Sequence, residues 1–397
     1  MKFYSFLIKY GEIGLKGKNR DKFEDTLVNN IRLHLANYLQ NFVVYKEQER
    51  VYVDINEEYN YQKILDTLKR IFGIYSISPV HKIDFTTNYK ELSTTIINYV
   101  NEIYGKSEKK SFKIKTRRVN KRFPMHSDTI NAELGHDVLE NFKNFTVDVH
   151  NPNVLINVEI RNHINIYSEV INGAKGLPTG TSSKSLLLLS GGIDSPVAGF
   201  LIAKRGVIVE AIYFNAPPYT SDRAKDKVIK LAEILSRYTG CVKLHIVNFT
   251  DIQLEIYDKC PHDELTIIMR RLMMKISEMV AKENNCLALI TGESIGQVAS
   301  QTTNSIAVTN ECVNMPIFRP LIGFDKEEII KIAENIGTFN TSILPYEDCC
   351  TIFVAKHPVT NPNLEKILKS EKNLEKIDDF IKIAINNIET IICKSME

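Results

Sequence analysis

The most constraining stretch of the chain runs from Leu186 to Pro196, LLLLSGGIDSP. Four consecutive leucines without polar interruption suit a strand buried on both faces, as in the middle of a parallel sheet. The turn that follows, Ser190, Gly191, Gly192, Ile193, Asp194 and Ser195, has the composition of a phosphate-binding loop. Its glycines let the backbone approach an anion, and the next helix offers N–H groups at its start. Pro196 suits the first position of that helix, with Ser195 or Asp194 as its cap. The Lys-[Ser/Thr] ending of a Walker A motif is missing, which disfavours a kinase or motor ATPase. A bare SGG also suits an ordinary glycine turn, but the leucine strand before it and Asp-Ser-Pro after it favour the phosphate reading.

A strand buried on both faces needs neighbours, and the downstream sequence supplies them. A helix over 196–204 ended by Gly206 leads to strands over 207–214, 243–247 and 287–291, separated by helices over 222–238 and 265–283. That alternation predicts an α/β fold with a doubly wound parallel sheet, its ligands at the carboxyl ends of the strands. Upstream, a strand at 3–8, a helix with Phe23, Leu27, Ile31 and Leu35 in register, strands at 42–45 and 50–55 and a helix at 61–71 suggest a ferredoxin-like α+β domain. A second α+β unit follows, with helices at 89–104 and 129–141 and strands near 146–149, 154–160 and 164–171. The stretch 173–184, GAKGLPTGTSSK, reads as a linker or rim.

Charge is uninformative for the whole chain, with 50 Lys and Arg against 48 Asp and Glu, so a nucleic-acid surface must be a local patch. One exists: Lys106, Lys109, Lys110, Lys113, Lys115, Arg117, Arg118, Lys121 and Arg122, interrupted by the single acid Glu108. Phe112 and Ile114 alternate with Lys113 and Lys115, placing apolar groups on one strand face and cations on the other. Phosphate contact through Lys113, Lys115, Arg117, Arg118, Lys121 and Arg122 is the reading favoured over a merely solvated face. The basic segment Lys16, Lys18 and Arg20 is equally compatible with phosphate contact and with a solvated loop. No apolar run has transmembrane length, and the charged N-terminus lacks a signal-peptide core, so no membrane partner and a cytoplasmic location are expected. Seven cysteines occur without a CxxC pair, which supports neither a zinc ribbon nor a thioredoxin motif, and no metal ligands are assigned.

Several polar residues fall near predicted strand ends. Tyr213 and Phe214 suit either a flat base beside the glycine loop or core packing. Of the neighbours Arg270 and Arg271, one must point toward the core, where an anion or an internal salt bridge would answer it. In the segment Thr291-Gly292-Glu293 through Gln301, small residues permit close backbone approach, with Gln297 or Gln301 giving directional hydrogen bonds. Lys326 can reach a phosphate or stay exposed. Cys349 and Cys350 sit in the loop PYEDCC, where Glu347 and Asp348 oppose thiolate formation unless a cation or substrate compensates.

These motifs, taken in order, resemble those of one family. SGGIDSP is similar to the pyrophosphatase (PP-) loop of enzymes that adenylate a substrate. The ordered set YGEIGLKGKNR, SGGIDSPVAGF, RRLMM, TGESIGQVASQT, RPLIGFDK and PYEDCC resembles the ThiI family, tRNA 4-thiouridine synthetases or tRNA uracil 4-sulfurtransferases. The resemblance implies a ferredoxin-like domain over 1–60, a THUMP RNA-binding domain over 61–168, a linker over 169–184 and a PP-loop domain over 185–397. It implies ATP with Mg2+, bound at Leu188, Leu189, Ser190, Gly191, Gly192, Asp194, Ser195, Tyr213, Phe214, Arg270, Gly292 and Gln301, with Cys349, Asp194 and Lys326 catalytic.

The chemistry it implies is adenylation of C4 of uridine 8 of tRNA, then attack by a persulfide on Cys349 loaded by a cysteine desulfurase. Some members add a rhodanese domain with a second working cysteine; the short form is expected here, leaving Cys350, Cys241, Cys260 or an external thiol to resolve the persulfide. A further family role, sulfur supply to the thiazole of thiamine through a sulfur-carrier protein, goes with the rhodanese domain in long members. A homodimer is a family tendency. The rival readings are a PP-loop ligase or amidotransferase acting on a small molecule, which leaves the basic strand unexplained, and a non-catalytic RNA-binding adaptor, against which Asp194 and Cys349 argue.

Overall fold

The computed structural model describes residues 3–105, 108–346 and 357–394, which leaves Lys106, Glu347, Asp348, Cys349 and Cys350 outside the described residues. The chain divides into two compact units, residues 1–69 with 73–175 and residues 70–72 with 176–397.

In the first unit, β1 (Ser5–Tyr10), α1 (Arg20–Leu35), β2 (Phe42–Glu47), β3 (Arg50–Ile55), α2 (Tyr61–Arg70) and β4 (Ile74–Asp84) realise the expected β-α-β-β-α order. The β2–β3 hairpin turns on Gln48 and Glu49, both at positive φ (43° and 66°), as a two-residue loop joining twisted strands requires. β4 is eleven residues long and serves two neighbourhoods. Its first part pairs antiparallel with β1 and its last part, His81 to Asp84, with β8 (His163–Tyr167). One sheet therefore runs in the order β2-β3-β1-β4-β8-β7-β5-β6 with no break at residue 60, and β9 (Ile171–Asn172), inside the expected linker, adds to β4. Here β5 is Lys110–Arg118, β6 Phe145–Val147 and β7 Val154–Ile160. Helices α3 (Tyr89–Tyr104) and α4 (Ser127–Asn141) cover this sheet through Leu92, Ile96, Leu134 and Val138, packed with Phe112, Ile114, Ile156 and Val158.

The second unit contains the predicted parallel sheet, built from β10 (Lys184–Leu188), β11 (Ile208–Asn215), β12 (Val242–Asn248), β13 (Cys286–Ile290) and β14 (Ile317–Phe318). Its order is β14-β13-β10-β11-β12-β15, with β15 (Glu389–Cys393) antiparallel to β12 at one edge. The helices are α5 (Asp194–Ala203), α6 (Asp222–Thr239), α7 (Thr250–Lys259), α8 (Leu265–Glu283), α9 (Thr303–Asn310), α10 (Lys326–Ile336), α11 (Phe339–Ser342), α12 (Leu364–Glu371) and α13 (Ile377–Asn386).

The leucine strand is central, Leu186 and Leu187 being fully buried. α5 packs tightly on it because residue 199 is glycine: a Cβ there would stand 2.6 Å from Leu187 Cδ2. Helix α7 and the edge strand β15 escape the periodicity argument; β15 has only five residues, too few for a period to show. Among the described residues no helix is long and apolar enough to cross a membrane.

Candidate functional site

β10 pairs with β11 on one side and β13 on the other, so successive connections leave it in opposite directions. Such a switch point opens a crevice at the carboxyl end of the strand. A cavity of about 290 Å³ lies there. The end of β10 and the following loop contribute Leu188, Leu189, Ser190, Gly192, Asp194 and Ser195, and β11 contributes Ile212, Tyr213 and Phe214. The opposite wall consists of Arg270, Met273 and Met274 from α8 with Thr291, Gly292 and Gln301. The predicted nucleotide residues are thus brought together from four separate stretches of chain; Gly191, in the same loop, does not line the cavity. Tyr213 and Phe214 belong to both of the readings left open for them, being buried and lining the cavity.

The loop closes on itself through its serines. Ser190 N–H donates to Ser195 Oγ at 2.9 Å, the two hydroxyls are 3.0 Å apart, and Gly192 N–H donates to Ser190 Oγ at 3.3 Å. This corrects the expected cap: α5 begins at Asp194 without a side-chain cap, and Pro196 is its third residue. Ser195 points back to the loop and Asp194 across the cleft, so neither side chain caps the start of the helix. Gly292 lies under this turn, where a Cβ would meet Ser195 N at 2.7 Å and Asp194 C at 2.8 Å.

Two ion-pair systems flank the loop. Asp194 accepts from Lys326 Nζ through Oδ1 and from Gln297 Nε2 through Oδ2, each at 2.7 Å. Lys326 opens α10, whose start is set by a capping box of Asp325 and Glu328. Lys326 stays exposed, its side chain at 44%, and pairs with Asp194 from there without lining the cavity. The arginine neighbours divide as the core argument requires. Arg271, 1% exposed, is held by Glu371 at 2.6 Å, Glu311 at 3.0 Å and the carbonyl of Val308. Arg270 lines the cavity and pairs with Glu293, while its other guanidinium nitrogen donates to Ser300 Oγ at 3.3 Å.

Glu293 also accepts from Arg319 Nε at 2.7 Å and from Thr291 Oγ1 at 2.9 Å. Burial opposes its ionisation, but the guanidiniums of Arg270 and Arg319 outweigh that and hold its pKa below the ordinary carboxylate value. Sequence reasoning did not single out Glu293 or Arg319. The available signal was an acid immediately after the small Thr-Gly pair at the end of a buried strand.

The basic strand forms as the alternation predicts. Phe112, Ile114 and Thr116 are buried, whereas Lys115 and Arg117 are exposed, as are Lys121 and Arg122 in the loop beyond. Three of the predicted contacts are engaged within the protein: Lys113 Nζ donates to the Val149 carbonyl at 2.9 Å, Arg118 to the carbonyls of Phe123 and Met125, both at 2.8 Å, and Arg122 Nε to Asn120 Oδ1 at 3.5 Å, its guanidinium lying 5.2 Å from the Phe85 ring centroid. Arg20, in the other basic segment, is likewise engaged, by Glu24 and Glu49 at 2.8 and 3.2 Å.

Of the described thiols, Cys260, Cys286 and Cys393 are buried and Cys312 half-buried, and burial pushes each pKa up to about 11. Cys241 is exposed but immediately precedes β12, at the amino end of the sheet, away from the cleft.

Three family profiles match in order along the chain: the ThiI ferredoxin-like domain over residues 5–78, the THUMP domain over 86–169 and thiamine biosynthesis protein (ThiI) over 180–376. The probable tRNA sulfurtransferase of Agathobacter rectalis is 58% identical over 391 residues, 98% of this chain and 99% of the relative. That of Lachnoclostridium phytofermentans is 56% identical over 393 residues, 99% and 100% of the two chains. Among solved structures, a 4-thiouridine synthetase–RNA complex with bound ATP matches at 36% identity and a TM-score of 0.91, covering 99% of this chain and 100% of that one. PH1313 from Pyrococcus horikoshii matches at 26% identity and a TM-score of 0.64, covering 84% and 99%. With more than half of its residues identical to such relatives over nearly the full length of both chains, the chain belongs to the ThiI family.

Proposed function

We infer that this protein is an ATP-dependent tRNA sulfurtransferase that activates C4 of uridine 8 and replaces its oxygen with sulfur, giving 4-thiouridine. The observation that carries this reading is the cleft at the end of β10, in a family whose relatives bear that name: an uncapped helix start and the cations Lys326 and Arg270 beside an apolar wall. Those features suit a nucleoside triphosphate, the base against Tyr213, Phe214, Met273 and Met274 and the phosphates toward the 190–195 loop.

Magnesium fits only as a companion of the phosphates. Among the described residues no group of three or more His, Cys, Asp or Glu side chains could hold a metal, and Asp194 is the carboxylate in the cavity lining. One carboxylate with phosphate oxygens and water is an ordinary Mg2+ environment, and an ion so held would offset charge on departing pyrophosphate.

In the first half-reaction the C4 oxygen of the uracil attacks the α-phosphate, N3 gives up its proton and pyrophosphate leaves. Loop N–H groups, Arg270 and Lys326 stabilise the charge that develops on phosphorus, with Asp194 and Gln297 fixing Lys326 and the loop relative to each other. In the second, the terminal sulfur of a Cys349 persulfide, loaded by a cysteine desulfurase, attacks C4, and the C–O bond breaks to release AMP. A thiol then attacks Cys349 sulfur, freeing 4-thiouridine and leaving a disulfide that an external thiol reduces. Cys350 or an external thiol is the better candidate for that step, since Cys260 is buried and Cys241 lies at the far end of the sheet.

The test is to incubate unmodified tRNA with the protein, ATP, a cysteine desulfurase and cysteine, and to follow 4-thiouridine absorbance. Product must depend on ATP and disappear in Cys349→Ser; absence of product with wild type, or full activity in both Cys349→Ser and Cys350→Ser, refutes the reading.

A further inference from the structure

Arg270 reaches the cavity from a helix whose other side is core, and the group that holds it is itself buried. Glu293 is 4% exposed and directly follows Thr291 and Gly292, so one short segment touches the cavity, the loop backbone and the arginine in succession. Its two oxygens are divided: Oε1 accepts from Arg270, while Oε2 accepts from Arg319 at 2.7 Å and from Thr291 at 2.9 Å. One carboxylate between two guanidiniums leaves a net positive charge, and of the two arginines only Arg270 lines the cavity. Arg319 in turn is tied to Asn310 at 3.2 Å, which anchors the assembly to α9.

We propose that Glu293 is a positioning residue for the nucleotide phosphates: it fixes the guanidinium of Arg270 toward the cleft, with Arg319 and Thr291 clamping the carboxylate from behind. The inference rests on ATP being the ligand of this cleft. An unanchored arginine would surrender rotamer freedom on every binding event and would meet the phosphates in many geometries; a clamped one has lost that freedom on folding. Glu293 does not itself line the cavity, so its effect must pass through Arg270 and must concern the phosphates rather than the base.

The distinguishing measurement is the ratio of ATP affinity to adenosine affinity, by calorimetry on the full chain. Glu293→Asp keeps the charge but withdraws it by one methylene, so it cannot reach both arginines; it should lower the ratio roughly tenfold, the scale of one charge-assisted hydrogen bond. In an Arg270→Ala background the same change should have no further effect on the ratio. Glu293→Gln, equal in size but uncharged, should lower the ratio less, because removing a negative charge beside the phosphates offsets part of the lost placement. A Glu293→Asp ratio equal to wild type, an undiminished effect in the Arg270→Ala background, or a larger loss for Gln than for Asp overturns the inference. Failure of wild type to bind ATP would instead overturn the functional reading on which it stands.

Discussion

Asp194 condenses the chemistry of the cleft into one side chain. It holds no helix cap and faces Lys326 and Gln297, so its removal should act on the reaction rather than on folding. Asp194→Asn and Lys326→Met are each expected to lower ATP-dependent AMP release by about 10²-fold or more, the usual cost of a lost charge-stabilising group, with the thermal midpoint nearly unchanged. A loss below about threefold in both would remove them from the mechanism. At this scale residue types near a glycine loop are readable from sequence, but partners are not. Nothing local to Lys326, itself exposed, says that its partner is Asp194, 132 positions away.

Elements carry the next set of expectations. The start of α5 and the end of β13 meet at Gly292, so Gly292→Ala should push the 190–195 loop outward and weaken ATP binding by about 1–3 kcal/mol, as overpacking does; unaltered affinity would show that the loop yields freely. On β5, Lys115→Glu with Arg117→Glu should weaken tRNA binding and flatten its salt dependence, because both side chains are exposed. Arg118→Lys keeps the charge but, being shorter, draws the donor back from the carbonyls of Phe123 and Met125, both of which are held by the single nitrogen Nη1. It should weaken binding with the salt slope preserved, and a reduced slope would make Arg118 a phosphate contact instead. The strand and its inward and outward faces were legible in the period-2 pattern. Which cations turn inward was not, since Arg118 is recruited by a loop that the pattern does not describe.

Across the molecule, buried titratable groups govern how the fold responds to acid. Burial opposes the ionisation of Glu159, 4% exposed, but Arg50, Arg161, Lys9 and Tyr167 together hold its pKa down to about 2. A folded value below the unfolded one gives stability that is complete above about pH 4.5 and lost as pH falls from there toward 2. In the second unit burial keeps His245 below its ordinary value of 6.5 despite its bond to Glu210 at 3.1 Å, so protonation below that pH opposes the native state. The first unit carries two imidazoles of the same kind, His34 and His81, each kept below the ordinary value by burial, so mild acidification should loosen both units. Segment-resolved hydrogen exchange, corrected for intrinsic rates, should show weakening in β11 and β12 between pH 7 and 5.5 that is smaller in His245→Gln; weakening unchanged in that variant would contradict this assignment. Glu159→Gln, which strands the buried Arg161, should cost about 3 kcal/mol in urea unfolding.

By itself the sequence determined the doubly wound sheet, the strand that bears the loop, the face alternation of the basic strand and the motifs that belong to the ThiI family. Each is a local record, because burial on two faces, helical period and turn chemistry are written in consecutive residues. Only the tertiary structure decided that Lys326 pairs with Asp194, that Glu293 stands between Arg270 and Arg319, that Arg118 is engaged by carbonyls, and that β4 carries one sheet across the first unit. Those outcomes depend on which charged groups meet after the chain has collapsed. A charge excluded from water pairs with whatever opposite charge the packing brings within reach, however far away it lies in the sequence.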